Sequence, residues 1–166
     1  MVIEPGKATT SEVALSAATA KTVLQIATPT THECRLVRLY FGFDGQAVVN
    51  EPIVVVLATQ TGAGTMTALT PVTPDRRRSP VLYVTAQHTA TVEPTTGTVL
   101  DRWNVHPQTD REPLILPGHE VVIGASQFLG LICTAPDVVN VIATMEWEEW
   151  PTVPTNVRPP YMGWRP

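Results

Sequence analysis

Apolar and polar residues alternate with a period of two along much of this chain, the spacing that puts every second side chain on one face of a β-strand. The longest alternation lies late in the sequence. Val139, Val141, Ala143, Met145 and Trp147 share one phase, and Asn140, Thr144, Glu146 and Glu148 fall in the other. Earlier, Leu24 and Ile26 alternate with Lys21, Val23 and Gln25. Val37, Leu39, Phe41 and Phe43 share a phase that Asp44-Gly45 closes with a turn signal. Residues 53–57 form a continuous, mostly β-branched apolar run, which predicts a central strand. Short strands are predicted at 81–84 and 114–116. Alternation also marks Val99, Asp101, Trp103 and Val105, then Val121, Ile123 and Ala125, then Leu129, Leu131 and Cys133. Helical patterning is weak; 11–20 offers a turn at most. Many short strands at this spacing predict an all-β, antiparallel sandwich. A jelly roll is the first architecture. An immunoglobulin-like sandwich is second, because the Cys-Trp-Cys arrangement of such domains is absent.

The two ends differ from the body. Residues 1–10 are polar and read as an N-terminal arm, 11–149 as the sandwich, and 150–166 as a C-terminal arm with extended character. The last segment, WPTVPTNVRPPYMGWRP, has five prolines in seventeen residues, which deny it a central place in a sheet. It also carries Trp150, Tyr161 and Trp164, side chains that anchor interfaces, and Arg158 and Arg165, whose planar donors suit carboxylates. These five are candidate partner-binding residues. The arm is expected to dock on a neighbouring subunit; folding back over an edge of its own sandwich is the alternative.

Composition narrows the function. Hydrophobic residues are 43% of the chain and charged residues 16%, below the usual share of about 25%. The net charge of −4 argues against nucleic acid as a partner. Lys7 and Lys21 are the only lysines, and arginine carries the remaining positive charge, a bias shared with protein interfaces. No apolar run approaches the ~20 residues that span a bilayer, so no membrane partner is expected. The first ten residues do not resemble a signal peptide, which points to synthesis in a cytosol. Cys34 and Cys133 sit in apolar strand-like runs and are expected as reduced core thiols.

Catalytic signals are missing. His32, His88, His106 and His119 have no metal-ligand spacing, and no nucleophile elbow, dinucleotide fingerprint or phosphate loop is present. No enzymatic activity, metal or cofactor is expected. Glu146, Glu148 and Glu149 suggest paired carboxylates, but the alternation around them predicts a solvated strand face. Arg76, Arg77 and Arg78 lie in a loop between Pro74 and Pro80, either solvated or in contact with an acidic partner.

Three stretches, ALSAATAKTVLQIATP (14–29), HTATVEPTTGTVLDRWNVHPQ (88–108) and LGLICTAPDVVNVIATMEWEE (129–149), resemble small virion proteins of tailed bacteriophages, especially those of actinobacteria. The resemblance implies a structural component of the particle, made in the host cytoplasm and placed on the capsid surface. Its characterised counterparts are jelly-roll cement or decoration proteins, which bind the major capsid protein and often form homotrimers. A tail or baseplate component that binds a receptor or carbohydrate is the alternative.

Overall fold

The computed structural model describes residues 3–44, 51–62, 64–74, 77 and 80–152. Twelve strands run through them: β1 (Glu4–Thr9), β2 (Val13–Leu15), β3 (Ala20–Ala27), β4 (His32–Phe43), β5 (Ile53–Thr61), β6 (Thr65–Leu69), β7 (Thr85–Val92), β8 (Thr95–Val105), β9 (Asp110–Arg111), β10 (Val121–Ile123), β11 (Phe128–Thr134) and β12 (Val139–Pro151). The described residues contain no helix. All strand pairs are antiparallel and fall in two sheets, ordered β1-β12-β4-β10 and β6-β7-β3-β11-β5-β8. In the first sheet, β2 continues the β1 edge of β12, and β9 continues the β10 edge of β4. Four pairings are nested along the chain: β1 with β12, β3 with β11, β4 with β10, and β5 with β8.

One apolar core lies between the sheets. From the first come Leu36, Leu39, Phe41, Val141, Ala143, Met145 and Trp147; from the second, Leu24, Ile26, Ile53, Val55, Leu57, Leu129, Leu131 and Cys133. The phase read for β12 is the one that faces this core. On β4 the phase changes partway. Leu39, Phe41 and Phe43 point inward as expected, but Val37 is exposed and Leu36 and Cys34 are buried instead. The cause is a bulge: Arg38 is opposite Glu146 and Leu36 opposite Trp147, so Val37 is an extra residue with no partner.

Three expectations are corrected. Residues 4–9 are not an arm but an edge strand in register with 144–149 of β12. Lys7 and Thr9 fall in the outward phase, Ala8 is buried, and Gly6 leaves the space that the Trp147 indole fills. Residues 81–84 form no strand: the amides of Tyr83 and Val84 donate to the Glu149 carboxylate rather than to a neighbouring strand. Residues 114–116 form no strand either. Pro113 and Pro117 bracket them, and Leu114 is 84% exposed.

Candidate interaction surface

The outer face of the first sheet is laced with ion pairs. Glu146 on β12 holds Lys7 Nζ of β1 at 3.0 Å and Arg38 Nη1 of β4 at 2.9 Å. Arg38 also grips Glu112 with two bonds, at 2.7 and 2.9 Å. Arg35 binds Glu148 at 2.6 Å, with Glu120 at 4.0 Å from its other nitrogen. Hydrogen bonds to Glu112 and then Glu146 raise the Arg38 pKa, and the Arg38 bond lowers that of Glu112. At Glu146 burial works upward, but Lys7 and Arg38 outweigh it and hold the carboxyl below its ordinary value. Glu146 and Glu148 thus lie on the outer face and are matched by cations there.

Glu149 differs from these two. It shares the phase of Trp147, is 1% exposed, and accepts hydrogen bonds from Tyr83 N (2.6 Å), Val84 N (3.1 Å) and Trp147 Nε1 (3.0 Å). Beside it the His32 ring stacks on Tyr83, with centroids 4.0 Å apart and planes 11° from parallel. The carboxylate pins 80–84 across that end of the sandwich. The alternation pattern missed it because a charged residue in a core phase becomes legible only once its donors are known.

A sparsely covered region of the described residues is the seam between the outermost strands of the two sheets, β8 and β10. β8 is the last strand of its sheet; residues 95–102 are all exposed, and no described strand pairs with its outer edge. The β1 edge, by contrast, is bridged by Val72 through two 2.8 Å hydrogen bonds with Lys7. Between β8 and β10 a cleft of about 330 Å³ opens toward the core. Its floor is Leu36, Leu39 and Leu57, its wall is Trp103 and Val121, and Leu100, Leu114 and Leu116 form its rim. Trp103 is fixed by Phe41, 5.6 Å away between ring centroids. Asp101 and His119 stand at the mouth. Val99 on β8 and Val122 on β10 are also exposed. Such a surface, apolar with few polar groups, suits contact with another polypeptide.

Of the sequence-derived candidates, the two among the described residues, Trp150 and Arg77, do not line this cleft. Trp150 lies half-buried on β12, opposite Glu33. Arg77 is exposed. Arg76, Arg78, Arg158, Tyr161, Trp164 and Arg165 lie outside the described residues. The rim residues Leu114 and Leu116 were read as strand positions; the prolines that bracket them are the signal for an exposed segment instead.

Burial, aided by the nearby Glu149 charge, pushes the Cys34 thiol up to about 12, and burial pushes Cys133 higher still. Both are therefore protonated and poor nucleophiles at neutral pH. Among the described residues no three His, Cys, Asp or Glu side chains are grouped to hold a metal ion, and no helix is long and apolar enough to cross a membrane. No family model, curated protein or solved structure matches the chain.

Proposed function

We propose that this protein is a bacteriophage virion component, a cement or decoration protein that stabilises the head by binding the major capsid protein. The observation that carries this reading is the β8–β10 seam: a long edge strand with no partner among the described residues, beside an apolar cleft. Strand edges and apolar rims of this kind serve polypeptide contacts. The resemblance of 14–29, 88–108 and 129–149 to phage virion proteins supplies the particular setting.

The fold belongs to the same proposal. Rolling one long antiparallel hairpin around a core pairs the first strand with the last and the second with the next to last, which is the plan of a jelly roll. The nested pairings β1:β12, β3:β11, β4:β10 and β5:β8 support it, with β6 and β7 as an insertion. A homotrimer is the proposed assembly, since closed symmetry is the norm for homo-oligomers and a threefold matches the capsid sites of similar proteins. Residues 153–166 are the proposed clamp on the particle.

The experiment is addition of the purified protein to heads that lack it. Occupied heads should withstand heating that opens bare ones, and a chain ending at residue 152 should occupy fewer sites. Failure to bind heads, with binding to tails or to cell-wall glycans instead, would replace this reading with the receptor-binding one.

A further inference from the structure

We propose that residues 153–166 of the free protein seat in the cleft between β8 and β10 of their own chain. Tyr161 or Trp164 then fills the space over Leu36, Leu39 and Leu57, and an arginine of the segment meets Asp101. This inference stands apart from the capsid reading, because it concerns the isolated chain.

Three observations point to this occupant. The first is the cleft itself, whose apolar floor and walls are those of a site for large apolar groups, and whose volume lies at the lower end of the range for small-ligand sites. The second is charge. The Asp101 carboxylate accepts a hydrogen bond from the Arg102 amide at 2.7 Å, and no cationic side chain pairs with it among the described residues. The neighbouring Glu112 and Glu120 already face Arg38 and Arg35. The only charged side chains in 153–166 are Arg158 and Arg165, so the rest of the chain is more acidic than the whole. A cationic, aromatic segment complements an acidic body whose cleft mouth holds an unpaired carboxylate.

The third is reach. β12 ends with Pro151 opposite His32, and the Thr152 amide donates to Thr31. The cleft lies farther along β4, at Leu36 and Leu39, and toward the β10 edge. At about 3.4 Å per residue and about 4.8 Å per strand, that is a span of roughly 25 Å. An extended proline-rich chain advances about 3.1 Å per residue, so Trp164 reaches up to about 37 Å from Thr152. The span is covered with slack. A tether this short holds the segment at an effective concentration in the millimolar range, well above that of any second copy in dilute solution. Its prolines lower the entropy lost on seating.

The test is chymotrypsin cleavage of the full chain after Tyr161 and Trp164. The wild-type segment should be cut at least ten times more slowly than a synthetic peptide of residues 150–166. Leu114→Asp should abolish that protection and leave the melting temperature unchanged, because Leu114 is exposed. Trp164→Ala should likewise speed cleavage after Tyr161. Protection should be the same from about 1 to about 100 µM protein, as an intramolecular seat requires. Cleavage as fast as in the peptide would overturn the proposal, and so would protection indifferent to Leu114→Asp. Protection that grows with concentration would place the segment on a second copy and overturn the intramolecular seat.

Discussion

Glu149 is as buried as the apolar residues beside it on β12, yet it is a carboxylate with three N–H donors and no cation among its bonds. Glu149→Gln keeps the shape but turns one acceptor into a donor that faces other donors. The substitution should cost about 2–3 kcal/mol in urea denaturation; a loss below about 0.5 kcal/mol would mean that the carboxylate does not hold 80–84. Gly6 makes a second residue-level commitment. A Cβ there would run into the Trp147 indole, so Gly6→Ala should destabilise by about 1–3 kcal/mol, read by the same titration. Cys34 and Cys133 give a pH dependence with a defined sign. Burial raises both thiols above the ordinary value of 9.0, with Cys34 at about 12. The unfolded thiols ionise from about pH 9 while the folded ones keep their protons. This contribution to stability is therefore complete below pH 9 and lost as the pH rises toward 12. Native protein at pH 8 should resist thiol alkylation and react at both cysteines only in denaturant. Rapid labelling of the native protein would contradict the buried placement.

At the scale of elements, strands were legible in the sequence where one face meets the core and the other meets water. β12 is the clearest, and its inward phase was readable from Val139 to Trp147. β4 was readable as a strand but not in its full phase, since the bulge at Val37 depends on pairing with β12, a partner more than a hundred residues away. β6 and β7 were missed because they are rich in Thr, Ala, Gln and His and have little apolar contrast. The alternation puts Gln25 in the phase of Lys21 and Val23. It does lie opposite the phase of Leu24 and Ile26, but it is buried there, donating to Gln60 at 2.8 Å across the space that Gly130 leaves. Of the candidate surface, Trp103 and the 99–105 alternation were visible. The cleft was not, because it exists only where the ends of two sheets meet. β1 carries the sharpest element-scale prediction. Polar residues make 1–10 read as an arm, but Glu4–Thr9 covers the β12 edge and the Trp147 ring. Deleting residues 1–9 should lower the melting temperature by about 5 °C or more, on the order of 2 kcal/mol for a chain of this size. An unchanged melting curve would mean that β1 adds nothing to the sandwich.

At the scale of the whole molecule, an ion-paired outer face on one sheet contrasts with a seam at the sandwich edge that no described residue covers. Under the proposed role the apolar area lies where a partner can cover it, and the paired charges elsewhere keep the remaining surface hydrated. The proposed trimer is checked by light scattering on the purified chain. Three times the 18.0 kDa chain mass is expected, and a monomer at high micromolar concentration would exclude a preformed trimer. The role itself is tested most directly by cryo-electron microscopy of the phage particle. All-β sandwiches are expected on the outside of the head, in symmetric contact with the major capsid protein through the β8–β10 seam or residues 153–166. The same density found only on the tail or baseplate, or absent from the particle, would contradict it.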